Sequence, residues 1–154
     1  MGAVEDRLAG LGLDVPPVVP PVAAYVPTSR SGDLIWVSGQ LPVVDGELLA
    51  RGKVGATIDP EQASHLARRC ALNAIGALKA EVGDLDQIER IVKVVGFVAS
   101  APDFHGQPGV INGASELFVA AFGDAGRHAR SAVGVAVLPL DAPVEVELVA
   151  KVRG

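Results

Sequence analysis

The amino-acid sequence predicts an α+β domain in which two helices pack on one face of a mixed β-sheet. Two long segments repeat apolar residues at helical spacing, and the segments around them have the apolar or alternating pattern of strands. In chain order the predicted elements are β-β-β-α-β-α-β-β. Two helices can cover only one face of such a sheet, so the apolar residues of the other face predict self-association.

The composition limits the class of protein. The chain has 154 residues, enough for one domain, with 49% hydrophobic and 4% aromatic residues and a net charge of −5. The negative charge and the few aromatic residues argue against a nucleic-acid-binding protein. The single cysteine excludes an intrachain disulfide, and the acidic N-terminus lacks a hydrophobic signal core. We therefore expect a cytoplasmic protein that does not bind a membrane.

Residues 1–22 are predicted to form a short helix and a proline-rich arm, ahead of a single domain at residues 23–154. Apolar residues at near-helical spacing predict the helix within residues 4–13. Four prolines between positions 16 and 21 exclude a helix or a central strand there. Because apolar residues lie between the prolines, the arm is expected to lie extended on the domain.

The domain begins with short strands. Residues 23–27 are predicted to form the first strand, residues 31–33 a turn, and residues 34–39 a strong second strand. Residues 43–49 have the pattern of a hairpin with an Asp-Gly pair at its tip.

The clearest helix follows a strong start signal. Asp59 is predicted to cap it, Pro60 to occupy its first position, Gln62 to complete a capping box, and Gly83 to end it. Cys70 belongs to the apolar stripe of this helix, which favours a buried structural thiol over a nucleophile.

Residues 88–100 are apolar on both sides and predict a central strand, and residues 108–122 predict a second helix. Residues 127–139 and 144–150 then have the pattern of two strands. Because only a short turn, residues 140–143, joins them, these strands are predicted to form a closing hairpin.

Two charged residues of this predicted hairpin, Arg130 and Glu145, lie among apolar neighbours. A charge in such a place usually has a partner or a ligand. Arg130 could be a structural arginine paired with Glu145 or Glu147. The regular alternation along residues 144–151 also allows Glu145 to be an ordinary strand residue on a solvent-facing side.

The remaining polar residues show no familiar catalytic pattern. The three histidines have no metal-ligand spacing, and His65 is expected on a helix surface. His128 is expected in a solvated loop, although it is two residues from Arg130 and could border the site. Ser38 has no His-Asp pattern around it, which argues against a hydrolase triad.

Several fragments together resemble one family. Residues 38–42, Ser-Gly-Gln-Leu-Pro, resemble the signature of the RidA/YjgF family of reactive-intermediate deaminases. Residues 129–139 and 144–150 resemble that family's C-terminal signature, and Tyr25 and Asn112 match its tyrosine and asparagine. The fragments occur in the family's order, from the tyrosine to the last strand.

The resemblance implies a chorismate-mutase-like subunit, a homotrimer with sites between subunits, and neither metal nor organic cofactor. It implies hydrolysis of enamines and imines, such as 2-aminoacrylate, to 2-oxo acids and ammonia. In this scheme Arg130 holds the substrate carboxylate bidentately and Glu145 orients water and moves a proton. The residues implied to bind substrate are Tyr25, Ser38, Gly39, Asn112, Ser131 and Ala132.

The chain departs from the family's pattern in three places. Ala132 stands where many members have cysteine, the N-terminal arm is additional, and residues 102–108 are longer than in compact members. Three other functions remain open: a non-catalytic protein that senses a small carboxylic acid, a ribonuclease or translation inhibitor, and a rearrangement enzyme of the chorismate-mutase type. The negative charge argues against the ribonuclease, and the rearrangement would need more cationic groups than Arg130.

Overall fold

The computed structural model describes residues 2–21 and 23–154. Its main element is a five-stranded mixed sheet. The strand order is β1-β2-β7-β5-β6, and a separate two-stranded hairpin, β3-β4, stands beside it. The strands are β1 Thr28–Ser31, β2 Leu34–Gln40, β3 Val43–Val44, β4 Glu47–Leu48, β5 Ile88–Ala99, β6 Ala129–Val135 and β7 Val144–Val152. The α-helices are α1 Ala3–Gly10, α2 Pro60–Val82 and α3 Gln107–Phe122.

The predicted cap, first-turn proline and terminating glycine of α2 are confirmed, whereas the Gln62 side chain makes no return bond to Asp59 among the described residues. Asp59 accepts a hydrogen bond from the backbone N–H of Gln62 at 2.9 Å, and Pro60 occupies the first turn of α2. Gly83 ends α2 in the left-handed region, with φ of 77°. α2 packs over β2 and β7 and α3 packs over β5 and β6, so these two helices cover the same face of the sheet.

The closing hairpin predicted for residues 127–150 is wrong. β6 pairs with β5 in parallel and β7 pairs with β5 antiparallel, so β5 lies between them. The connection crosses the end of β5, where Ala99 donates its N–H to Pro143 and Ser100 donates to Val135. Beyond β5, β7 also pairs with β2, so it fills the gap between two strands that would otherwise each have an unpaired edge.

The first strand is also displaced from its predicted position. Residues 23–25 form a bend, and β1 begins only at Thr28. Pro27 has no backbone N–H to donate to a ladder, so regular pairing starts after it. The hairpin predicted within residues 43–49 is confirmed, with Asp45 and Gly46 in the left-handed conformations of its tight turn.

The two faces of the sheet differ. Along β7, alternate residues from Val144 to Val152 are buried under the helices, and the residues between them are half-buried on the other side. We call that other side the open face. Trp36 and Val133 remain 45% and 43% exposed there, so the open face carries apolar surface that one subunit does not cover.

The predicted N-terminal helix is confirmed as α1, which packs against α3 through the buried residues Val4 and Leu8. The carboxylate of Asp86 accepts hydrogen bonds from the N–H groups of Ala3 and Val4, at 2.9 and 3.2 Å. After α1, the described part of the proline-rich arm packs against the core without regular structure. Met1 and Val22, which belong to the predicted N-terminal region, lie outside the described residues. Within the described ranges, no helix is both long and apolar enough to span a bilayer.

Replacement of two glycines in α3 can test how closely α2 and α3 pack. A methyl group at Gly113 would overlap the backbone carbonyl of Ser64 in α2, whereas a methyl group at Gly109 would meet nothing within 4 Å. Both replacements raise helix propensity by about 1 kcal/mol, but overpacking costs about 1–3 kcal/mol. We expect Gly109→Ala to raise the urea midpoint and Gly113→Ala to lower it. Equal shifts in the two variants would contradict the close helix contact.

Candidate functional site

Arg130 lies on the helix-facing side of β6 and its guanidinium extends across α3. Nη1 donates to Asn112 Oδ1 at 2.8 Å and to Ser115 Oγ at 3.2 Å, and Nη2 donates to the carbonyl oxygen of Pro108 at 3.3 Å. Asn112 is a poor residue for a helix interior, and this contact explains why it is there. One helix therefore fixes the orientation of the guanidinium.

Among the described residues, these three bonds leave two of the five N–H donors of Arg130 unused: Nε–H and one hydrogen of Nη2. Nε and Nη2 form one edge of the planar guanidinium. That edge matches both oxygens of a carboxylate, and such charge-assisted pairs are among the strongest hydrogen bonds in proteins. Arg130 is thus anchored on one side and available for an anion on the other.

His128 stands beside this arginine and is half-buried, so the prediction of a solvated loop residue is wrong. Its Nδ1 lies 2.6 Å from the carbonyl oxygen of Gly126, and its Nε2 lies 2.8 Å from Ser115 Oγ. The ring also makes an edge contact with Phe118, with centroids 5.9 Å apart. Burial, followed by the charge of Arg130, lowers the pKa of His128.

The sequence reasoning missed Ser115, and for His128 it preferred a solvated loop over a place beside the site. The spacing of Asn112 and Ser115, three residues apart in a helix, places both on one face of α3 and could have identified the serine. The closeness of His128 to Arg130 in the chain was the one signal for it, and its contacts could not be predicted because they depend on how β6 approaches α3. Ser115, His128 and Arg130 line a shallow cavity, which we call the arginine cavity.

Glu145 is on the open face, and its carboxylate lies directly over Gly39. A methyl group at position 39 would overlap that carboxylate and would force the Glu145 side chain to move away. The register of β2 against β7 is interrupted between Val37 and Gln40, and this bulge places Gly39 under the glutamate. Burial, and secondarily the nearby charge of Glu147, raises the pKa of Glu145.

Four of the predicted site residues meet at a second, larger cavity of about 810 Å³, which we call the glutamate cavity: Tyr25, Ser38, Gly39 and Glu145. Ser38 Oγ donates to the carbonyl oxygen of Val26 at 2.6 Å, which ties the segment carrying Tyr25 to β2. Exposed and half-buried apolar side chains contribute most of the remaining wall, with Glu147 beside them.

The two cavities are on opposite faces of the same sheet. Arg130 is opposite Val94 in the register of β5 and β6, and Val94 is in turn opposite the buried Leu148 of β7. Glu145 is opposite Phe97, three residues further along β5 and on the other face. Within one subunit the sheet therefore separates Arg130 from Glu145. No ion pair of Arg130 with either glutamate is present in the part that the structure describes, which removes that alternative for a single subunit.

The other two predicted substrate-binding residues, Ser131 and Ala132, line neither cavity. Ser131 is exposed on the open face, where its hydroxyl accepts a hydrogen bond from Lys93 Nζ at 3.5 Å. Ala132 points to the helix-facing side and packs against the core. Within one subunit, the structure does not bring either side chain to Arg130 or Glu145.

Cys70 is fully buried in α2, and burial raises the pKa of its thiol, so the prediction of a structural cysteine is confirmed. His65 is exposed on the same helix, also as predicted. Among residues 2–21 and 23–154, no group of three or more His, Cys, Asp or Glu side chains could hold a metal ion.

The environment of Glu145 predicts a measurable titration. We expect carboxyl ¹³C NMR to show a pKa for Glu145 above its ordinary value, and Glu147→Gln to lower it because a like charge is removed. The folded protein then binds this proton more tightly than the unfolded chain. The stabilising contribution is complete below the unfolded pKa and is lost as the pH rises through the folded pKa. Glu61→Gln, a distant change in the first turn of α2, is the control. An unshifted Glu145 would contradict the described burial.

Comparison with known proteins gives matches over almost the whole chain. A family model described as "YjgF/chorismate mutase-like, putative endoribonuclease" matches residues 5–152. Protein TCP17 of Trypanosoma cruzi is 44% identical over 147 residues, which is 95% of this chain and 92% of that protein.

Solved structures also match this chain over most of its length. The protein Atu1372 of Agrobacterium tumefaciens, described as of unknown function, is 43% identical with a TM-score of 0.91 and covers 99% of this chain and 93% of its own. A "putative endoribonuclease" of Shewanella oneidensis is 34% identical with a TM-score of 0.95, over 98% and 100% of the two chains. Escherichia coli TdcF with bound serine is 25% identical with a TM-score of 0.62, over 91% and 94%. The predicted α+β, chorismate-mutase-like fold is confirmed, and the chain belongs to the YjgF/chorismate-mutase-like family.

Proposed function

We propose that this protein hydrolyses reactive enamines and imines derived from amino acids to 2-oxo acids and ammonia, in the cytoplasm and without metal or organic cofactor. The observation that supports this most directly is the free Nε–Nη2 edge of Arg130, which α3 holds in a carboxylate-binding orientation. A half-buried glutamate with a raised pKa supplies a proton-transfer group for such chemistry.

The separation of the two cavities leads to the second part of the proposal, a site shared by subunits of a homotrimer. The sheet keeps Arg130 away from Glu145 of its own subunit. The open face carries exposed apolar side chains that a second copy would cover. In the assembly, Arg130 and Asn112 of one subunit face Glu145 of its neighbour, with Tyr25, Ser38 and Gly39 as the neighbour's cavity wall.

The proposed reaction follows from these groups. Arg130 holds the substrate carboxylate. The imine carbon next to that carboxylate is attacked by a water molecule while the imine nitrogen is protonated. Glu145 takes a proton from that water as the C–O bond forms, and returns it to the nitrogen. The C–N bond then breaks, ammonia leaves, and the loss of the remaining hydroxyl proton gives the 2-oxo acid. Such a step needs positioning and acid–base help, and it needs no covalent intermediate.

The comparisons support a small amino-acid-like ligand, since one structural relative, TdcF, was crystallised with bound serine. The family's description points to a second candidate, cleavage of RNA. The net charge of −5 weakens that candidate, because binding to a phosphate backbone relies on positive charge. A protein that binds small carboxylic acids without catalysis would use the same arginine edge, and the assay below separates these three functions.

We expect the protein to accelerate imine loss in a coupled assay. An amino acid oxidase or a threonine dehydratase generates the imine, and semicarbazide traps what remains. Arg130→Ala should lower kcat/KM by roughly 100-fold, because the bidentate grip is lost. Arg68→Ala, on α2 and outside both cavities, is the control. Carboxylate binding without turnover would favour the binding protein, and salt-sensitive RNA cleavage would favour the nuclease.

A mixing experiment tests the shared site. Arg130→Ala and Glu145→Gln subunits are each expected to be inactive alone, since each lacks one half of every site. When they are unfolded together and refolded in equal amounts, about one quarter of the sites in a closed ring should combine an intact Arg130 with an intact Glu145. Activity should return to about that fraction. If mixed subunits form hetero-oligomers by mass spectrometry and stay inactive, the shared site is wrong.

A further inference from the structure

We propose that Ser115 and His128 are positioning residues, which hold the guanidinium of Arg130 with its carboxylate-binding edge exposed. This inference rests on the proposed function, in which Arg130 binds the substrate carboxylate. Neither residue belongs to the part of the chain that resembles the family's signatures, and the proposed reaction assigns neither of them a step.

The hydrogen-bond partners fix the direction of every bond in this group. The carbonyl oxygen of Gly126 can only accept, so Nδ1 of His128 carries a hydrogen. In the neutral imidazole, which the lowered pKa of His128 favours, Nε2 is then an acceptor. Ser115 must then donate its hydroxyl hydrogen to Nε2, across 2.8 Å. This leaves the lone pairs of Ser115 Oγ for Arg130 Nη1, at 3.2 Å. Each group therefore donates a hydrogen bond to the next: Arg130 donates to Ser115, Ser115 to His128, and His128 to the carbonyl oxygen of Gly126.

His128 has a specific task in this order. A serine inside a helix can rotate its hydroxyl and donate to the carbonyl oxygen one turn earlier in its own helix. In that rotamer its lone pairs no longer face Arg130. By accepting the hydroxyl hydrogen, His128 keeps Ser115 in the rotamer that receives Nη1. The contact with Phe118 and the bond to Gly126 hold the imidazole itself in place.

The benefit is preorganisation. A long arginine side chain loses rotamer entropy when it is fixed, and β6 is an edge strand that pairs with only one neighbour in its sheet. The bonds from α3 fix Arg130 before any ligand arrives, so less ordering remains to be done on binding. Loss of Ser115 or His128 is then expected to weaken carboxylate binding more than it slows the chemical step.

The arrangement also requires a neutral His128. A protonated imidazole would donate from Nε2 to Ser115 and add a second cation beside Arg130. The other residues that line this cavity are Arg127, which is on the same segment and paired with Asp124, and the uncharged Val119 and Ser115 of α3. Lys93 of β5 faces the open side of the sheet, where it bonds to Ser131, and no carboxylate lines the arginine cavity. The positive lining of the cavity therefore favours the neutral imidazole, which agrees with the lowered pKa of His128.

The test measures binding and turnover separately in the full-length protein. The probe is pyruvate, the 2-oxo acid that 2-aminoacrylate would give, titrated by calorimetry. We expect Ser115→Ala and His128→Ala each to raise the pyruvate Kd and the substrate KM by about tenfold, with a much smaller change in kcat. His128→Gln should restore most of the affinity, because its amide oxygen can accept from Ser115. The control His65→Gln alters an exposed histidine and should bind like wild type.

A second measurement reports the position of Arg130 without any ligand. Hydrogen bonds to both hydrogens of Nη1 slow rotation of that group, so wild type should give resolved Nη signals in ¹⁵N NMR at low temperature. In His128→Ala these signals should merge, while amide spectra show that the fold is retained.

The outcomes separate this inference from the proposed function. If wild type binds pyruvate and the alanine variants bind it equally well, the positioning role is overturned and the proposed function stands. If wild type neither binds pyruvate nor hydrolyses imines, the proposed function fails, and the Nη signals still decide whether Ser115 and His128 hold Arg130. Unchanged Nη signals in His128→Ala would overturn the inference whatever the activity.

Discussion

The pairing of β5 with strands on both of its sides is the constraint on which the rest of the structure depends. β6 runs parallel to one edge and β7 antiparallel to the other. The parallel pair needs a long crossover, which α3 provides, and that crossover brings Asn112 and Ser115 over the end of β6. The antiparallel pair fixes the alternation of β7, so Glu145 must face away from the helices. One hydrogen-bonding pattern thus sets both the support of Arg130 and the direction of Glu145.

Close backbone contacts then shape the surroundings of each charge. Gly39 leaves room for the Glu145 carboxylate, and Gly96 of β5 leaves room for Ile111 of α3, which brings that helix against the sheet. A larger residue at position 39 would displace the carboxylate of Glu145, and one at position 96 would force Ile111 to move. The site therefore depends on the absence of a side chain at Gly39 and Gly96 as well as on its polar groups. A search restricted to polar residues would overlook these two glycines.

Much of the fold could be predicted from local signals. The cap at Asp59 with Pro60 after it and the Asp-Gly tip at residues 45–46 each determine their own segment, and these predictions are confirmed. Tyr25, Ser38 and Gly39 became candidates through the resemblance, whereas Glu145 first stood out as a charge among apolar residues, and the structure brings those four together. What failed depends on distant contacts. A short link between two strands usually means a hairpin, and only the unpaired edges of β2 and β5 explain why β7 is inserted there. His128 looked solvated because Ser115 and Phe118 approach it from another element.

The cap on α1 comes from Asp86, a residue more than eighty positions away in the chain. An isolated helix of eight residues is too short to be stable in water, and the N–H groups of its first turn have no local side chain to accept them. The helix therefore depends on the folded body for its stability. An opening of α1 alone would let its amide hydrogens exchange and would expose its peptide bonds to a protease, while the sheet and both cavities stayed intact.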